Sequence, residues 1–372
     1  MKKKKICWVT PDCFADCDIP YVPKLLDEFD IHWIIQLPIK SRYSKDDFTC
    51  LSEKYDNLTT EFIISKTRER YPFKMFEYYK VIKIIKREKP DIVYVNLVAN
   101  SPWQIPMLLS LPKNKTIVTA HQGRVHVGMG HYKYNNFMRD VVYRRIKNVN
   151  MFSKSQAAYF KERYKDSTVY QIPLGLKYFG EPTIERPSAG ENVIFLLFGL
   201  IVKNKNLPIL LDAVNHLYER GIRDLKVVIR GMGYAVDEVK QHIKYPDIVD
   251  ADFRYVDNAE IPNLFNGSHY LVQPYKEMSQ SGPFKVAMQY NLPLITSDLE
   301  GFTDEMSIGN TGYTFKNEDI NDLENVLIKC YKLAKNDKEY SNLLSRMEKY
   351  VTLNYSTENI VQAYIDMFHS II

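Results

Sequence analysis

Strand and helix patterns alternate twice along this chain, once on each side of an irregular stretch from Ile172 to Asn192. Parallel strands cannot be joined by tight turns, so short apolar runs separated by amphipathic stretches dictate a parallel sheet with helices on both faces. Before the irregular stretch, strands are expected at Ile6–Thr10, Ile31–Gln36, Ile92–Leu97 and Thr116–Thr119, with helices at Val22–Phe29 and Phe73–Arg87 and a short one around Met107–Leu109. Beyond it, strands are expected at Val193–Phe198, Leu225–Arg230, Phe253–Val256, Tyr270–Val272 and Leu292–Thr296. The stretch between is rich in proline and glycine and has no sustained period, which reads as an interdomain connection. With 372 residues the chain has room for two cores. The expected division is 1–172 and 173–355, with a last helix, 356–372, whose Ile360, Ala363, Tyr364 and Phe368 form a face that docks on a neighbouring domain.

Several classes are excluded by what the sequence lacks. No glycine occurs before Gly123, so the glycines that a dinucleotide fingerprint needs straight after the first strand are missing. No GxxxxGK[ST] phosphate loop is present either. The five cysteines are odd in number and form no CxxC pair, which suggests reduced thiols in a cytoplasmic protein rather than a zinc site or disulfide framework. No apolar run reaches membrane-spanning length, and neither a signal peptide nor an anchor is expected.

Chemistry concentrates in two loops of the second half. The stretch Tyr270–Asp298 reads as strand, loop, helix, strand, with Pro283 in the first helical turn and Ser281 or Gly282 as the cap. The loop that includes Gln280, Ser281 and Gly282 therefore aims free backbone N–H groups and the positive end of a helix dipole at one spot, a site suited to a phosphate. The other loop, Gly199–Lys205, leads to a helix expected to be capped by Asn206, and its Lys203 and Lys205 supply positive charge. In a doubly wound sheet both loops meet outside the carboxyl ends of the strands, where they could hold a diphosphate and stabilise it as a leaving group.

In the first half, TAHQGRVHVGMGH at Thr119–His131 closes a strand and then loses regular pattern. Its histidines are five residues apart and no carboxylate or cysteine joins them, so no metal site is expected. His121, just past the strand end, is placed to position substrate hydroxyls or exchange a proton near neutral pH, or simply to bond the loop backbone.

Charge is uneven. Net charge is +5, yet nine Lys or Arg face three Glu between Lys66 and Lys89. Tyr78, Val81, Ile82 and Ile85 there have the spacing of a buried helix stripe, which leaves a basic flank either solvated or resting on an anionic membrane surface. No nucleic-acid motif accompanies the patch, and a nucleic-acid partner is not expected.

These pieces together resemble the large glycosyltransferase family 4, also called group 1. FGLIVKNKN resembles the family's G-R-x-x-x-x-K-G phosphate segment, with Gly199 and Lys205 in matching places. RGMG at Arg230–Gly233, RYVDNAEIPNLFNGSHYLVQPY at Arg254–Tyr275 and LPLITSDLEGFTDEM at Leu292–Met306, with Gly301 and Glu305 matching, resemble its next blocks. TAHQ resembles the acceptor-side strand end that carries a histidine, here His121. The resemblance is clear from Val193 to about Phe315 and one of layout before Ile172.

The resemblance implies an α/β protein of the GT-B fold: two Rossmann-like, doubly wound domains facing across a cleft, acceptor site in the first, nucleotide sugar in the second, and the C-terminal helix packed back on the first. It implies a retaining, metal-independent hexosyltransferase with no cofactor. The donor would be a UDP- or GDP-linked sugar and the acceptor a saccharide or lipid-linked molecule, in cell-surface polysaccharide synthesis, in the cytoplasm or at the inner membrane face. Lys205 with the amides of Ser281 and Gly282 would hold the leaving diphosphate, backbone near Tyr255 and Val256 the base, and His121 and Glu277 the sugar or acceptor. The chain departs from the family pattern at three points. Leu200 stands where an arginine is usual, Met278 and Val286 stand where a glutamate pair is usual and the loop reads SQSG, and PDCFADCD replaces a glycine-rich loop after the first strand. Those departures leave a non-catalytic nucleotide-sugar or glycan binder, or a nucleotide-sugar isomerase, as alternatives.

Overall fold

The structure, a computed structural model, describes residues 3–39, 41, 43–66, 71–96, 102–120, 132–188, 190, 192–278 and 280–372, the first four of 132–145 without their side chains. The chain forms two compact units, Met1–Gly175 with Thr357–Ile372, and Leu176–Ser356.

The first unit is built on seven strands: β1 Lys4–Pro11, β2 Phe29–Pro38, β3 Leu58–Ser65, β4 Ile92–Asn96, β5 Thr116–Ala120, β6 Asn148–Met151 and β7 Thr168–Gln171. Every pairing is parallel and the order is β3-β2-β1-β4-β5-β6-β7. Strand order reverses between β1 and β4, the mark of a doubly wound sheet. β2 takes one residue expected to be helical, Phe29. Val22–Leu25 is only a short 3₁₀ turn, and Phe29, fully buried, already pairs with Lys4. The final helix, Thr357–His369, completes this unit. Its Ile360, Val361, Tyr364, Met367 and Phe368 join a core with Trp8, Phe29 and Tyr94. Phe368 meets Tyr94 edge-on at 5.8 Å between ring centres, a geometry aromatic rings prefer.

The second unit holds β8 Val193–Phe198, β9 Leu225–Arg230, β10 Val249–Asp252, β11 Tyr270–Gln273, β12 Leu294–Ser297 and β13 Gly312–Phe315. They are again all parallel, in the order β10-β9-β8-β11-β12-β13. Order reverses between β8 and β11, so the loops after these two strands flank a switch point, where ligands bind in such sheets. β10 lies four residues earlier than its expected position. Val249–Asp252 pairs with Val227–Arg230, which leaves Arg254–Val256 beyond the strand's carboxyl end. Among the described residues no helix is long and apolar enough to cross a membrane.

Candidate nucleotide-sugar site

The site starts from a glycine. Gly199 ends β8 with φ +114°, a backbone state that side chains resist, and a Cβ placed on it would lie 3.3 Å from Pro283 Cγ. The β8 loop and the start of helix Gly282–Gln289 therefore lie against each other at the switch point. The same loop is braced from the β9 side. Gly199 and Ile201 amides donate to the Arg230 and Met232 carbonyls, each at 2.9 Å, and Cβ atoms on Gly231 or Gly233 would collide with the Gly199 and Ile201 carbonyls. RGMG thus serves close backbone packing. Its arginine is bound to Asp250, with Nη2 to Oδ2 at 2.8 Å.

Lys203–Lys205 forms a single 3₁₀ turn before helix Leu207–Glu219. Asn206 does not cap that helix with its side chain. It adopts a left-handed conformation, φ 50°, and so turns the chain into the helix. This places the Lys205 ammonium 3.4 Å from the centre of the Tyr275 ring, a cation–π contact, in a depression also lined by Gly199 and Arg230. Burial lowers the Lys205 pKa from 10.5 to about 8. No carboxylate among the described residues pairs with it, so the fold holds a partly desolvated cation without a counter-ion.

Helix Gly282–Gln289 begins beside this cation. Ser281 is the cap, its Oγ accepting from the Phe284 amide at 3.4 Å. Pro283 has no N–H, which leaves the amides of Ser281 and Gly282, bonded to no other described group, as the donors of this turn. Beneath lies Gln273, fully buried, whose Nε2 donates to Tyr275 Oη and to Ser281 Oγ, both at 2.7 Å. One buried amide thus fixes the ring under Lys205 and the hydroxyl that caps the helix. Lys285, on the same helix, is buried in an ion pair with Glu305, and Tyr355 donates to Glu305 Oε2 at 3.1 Å. A further cation reaches the helix mouth: Lys177 Nζ lies 3.7 Å from where a Cβ on Gly282 would be.

Structure separates some residues that the sequence reading placed together. Lys203 and Glu277 are exposed and line a different depression, with Asn204 and Lys276. Gln280 is half-buried next to the cap. Tyr255 is 54% exposed and Val256 buried, on a segment past β10 that Arg254 fixes by ion pairs to Asp252 and Glu260. His121 and Ser279 lie outside the described residues, as do His126 and His131. Lys177, Gln273 and Tyr275 were not singled out from sequence. Lys177 stands in the connecting segment, where no pattern marks a ligand residue, and Gln273 reads as the last residue of an apolar strand.

Two Rossmann-like parallel sheets, the second with an anion-suited switch point and the first completed by the C-terminal helix, define the GT-B class of glycosyltransferase folds. Within it, residues 192–332 match the family model described as glycosyl transferases group 1. No curated protein matches the chain. Among solved structures, a glycosyltransferase from Rickettsia africae is similar at 16% identity and TM-score 0.74, covering 100% of this chain and 99% of the other. Sucrose-phosphate synthase from Thermosynechococcus elongatus is similar at 14% identity and TM-score 0.73, covering 99% and 100%. HepE from Anabaena, crystallised with UDP and glucose, is similar at 14% identity and TM-score 0.69, with the same coverage.

Proposed function

We propose that this protein is a retaining glycosyltransferase that moves a sugar from a nucleotide-diphosphate sugar to a saccharide or lipid-linked acceptor. The observation that carries this reading is Lys205: a cation held in a half-buried depression with no counter-ion among the described residues, next to the N-terminus of a helix at the switch point of the sheet. A buried, uncompensated charge is costly, and such sites persist where a ligand supplies the opposite charge. The diphosphate would lie between Lys205 and the amides of Ser281 and Gly282, with Lys177 beside it, and the base would extend toward Tyr255 and Val256. HepE binding UDP and glucose on the same fold supports this class of donor.

In the reaction the acceptor hydroxyl attacks the anomeric carbon on the face that the diphosphate leaves. The bond from that carbon to the phosphate oxygen breaks, its electron pair goes to the diphosphate, and a phosphate oxygen takes the acceptor proton. Lys205 and the helix mouth stabilise the charge that develops on the leaving group. No dedicated base is then required, His121 has a positioning role toward the sugar or acceptor, and Glu277 contacts a sugar hydroxyl. Reaction in the cytoplasm, feeding cell-surface polysaccharide, fits a lipid-linked acceptor.

The test is turnover with a panel of UDP- and GDP-sugars, for the wild type and Lys205→Ala. Transfer or hydrolysis that falls strongly in the variant supports the reading, and near-normal activity there contradicts the role of Lys205. Nucleotide-sugar binding with no transfer and no hydrolysis across an acceptor panel favours a non-catalytic binder, the reading that Leu200, 62% exposed where the family has an arginine, would support.

A further inference from the structure

Helix Lys74–Glu88 has two unlike sides. Tyr78, Val81, Ile84 and Ile85 are buried against the first sheet, while Ile82, expected in that stripe, is only partly covered. A buried ion pair between Lys74 and Glu77 at 2.8 Å, with the Ser65 hydroxyl donating to Glu77 at 2.8 Å, ties the start of the helix to the end of β3. The rotation of the helix about its axis is thereby fixed, and so is what faces outward.

Outward lie aromatic rings. Phe73 is 67% exposed, Phe76 58% and Tyr79 53%, and the Phe73 and Phe76 rings stack on each other, 6.4 Å between centres. Phe76, Tyr79, Lys80 and Lys83 follow the i, i+3, i+4, i+7 spacing of a single helix side, and Lys86 continues it. Lys80, Lys83 and Lys86 are exposed, and no carboxylate pairs with them among the described residues. Arg87, by contrast, is held by Glu61 and Glu88 and does not belong to this surface. A lone exposed ring needs no explanation, whereas a run of rings flanked by lysines without carboxylate partners among the described residues, Lys83 lying over the Tyr79 ring at 4.9 Å, marks a docking surface.

We propose that this side of the helix rests on an anionic lipid surface, with Phe73, Phe76 and Tyr79 at the boundary of headgroups and acyl chains and Lys80, Lys83 and Lys86 among the headgroups. Charge complementarity selects the occupant. Three cations without acids repel a second copy of the same surface, and lysine stems can lie along apolar matter while their ammonium groups stay in water. The inference stands apart from the chemistry of the second unit.

The experiment is flotation of the full chain with vesicles of phosphatidylcholine alone and with about one third phosphatidylglycerol added. Binding is expected to the anionic vesicles only and to weaken at high salt. Each lysine is worth about five-fold in partitioning, so Lys80→Gln/Lys83→Gln/Lys86→Gln should lose about 100-fold. Phe73→Ser/Phe76→Ser should lose at least about ten-fold, by the apolar area removed from the interface. Lys332→Gln/Lys338→Gln/Lys349→Gln, the same charge change on exposed lysines of the second unit, should leave binding unchanged. The exposed positions predict that all three variants keep the wild-type melting temperature. The proposal is overturned if anionic vesicles do not bind, if the control variant loses as much as the first, or if binding ignores the phenylalanines. It is also overturned if the lysines govern binding to single-stranded RNA, or the phenylalanines a concentration-dependent dimer, without vesicle binding.

Discussion

Replacing Lys205 by methionine should make the second unit more stable at neutral pH. The lysine has a pKa of about 8 in the folded chain against 10.5 for an exposed lysine, so the fold disfavours its charged form. The full penalty applies below pH 8, where the group is protonated in both states, and fades as pH rises from 8 to 10.5. A shift from 10.5 to about 8 corresponds to about 3 kcal/mol at roughly 1.4 kcal/mol per pH unit. Methionine forfeits the contact with Tyr275, worth about 0.5–2 kcal/mol, and keeps most of the packing volume. The net gain should be about 1–3 kcal/mol at pH 7, or roughly 2–4 °C in melting temperature for each kcal/mol. Urea unfolding of both proteins, followed at pH 7 and again near pH 10, would read it out. The advantage of the variant should shrink at the higher pH. A variant less stable than the wild type at pH 7, or equally advantaged at both, would refute the idea that Lys205 is a desolvated, uncompensated cation.

Three further outcomes follow from the same geometry. Nucleoside diphosphate affinity, measured by calorimetry, should be steady between about pH 7 and 8, above the range where the terminal phosphate itself takes up a proton, and fall at higher pH as Lys205 loses its proton, with net proton uptake on binding near pH 8. Gly199→Ala would force a side chain into φ +114° and against Pro283, costing about 1–3 kcal/mol by urea unfolding and weakening nucleotide binding beyond that, since the loop carrying Lys205 is displaced. Glu305→Gln should destabilise by about 3–5 kcal/mol because it leaves the Lys285 ammonium buried without its carboxylate, whereas Lys285→Met/Glu305→Leu should recover most of that loss.

Legibility from sequence followed the strength of the local pattern. β8 and β9 were readable to the residue because β8 is an unbroken apolar run and β9 has the apolar run Val227–Ile229 at its centre, as buried parallel strands do. β3, LTTEFIIS, and β7, TVYQ, lie at the two edges of the first sheet, carry polar residues in no regular alternation, and neither stood out. Phe29 was assigned to a helix although it pairs with Lys4 at the start of β1 and its ring packs against Phe368 of the last helix, tertiary effects no local window contains. At the site, proline and serine placed the helix start at Gly282 to within a residue, because capping is local chemistry. The Tyr275 ring under Lys205 and the Gln273 bonds to Tyr275 and Ser281 join separate loops, and residue spacing carries no record of them. The separation of Lys203 from Lys205 came from one 3₁₀ turn and a left-handed Asn206, which residue type alone does not dictate.

Calorimetric titration of the wild type and Lys205→Met with UDP and GDP bears most directly on the switch-point site. A charge-assisted contact is worth about 1.5–3 kcal/mol, so one of the two nucleotides should bind with one-to-one stoichiometry and lose at least about ten-fold in affinity in the variant. Binding of equal strength in both proteins, or no binding of either nucleotide to the wild type, would contradict the assignment of that depression to a nucleotide diphosphate.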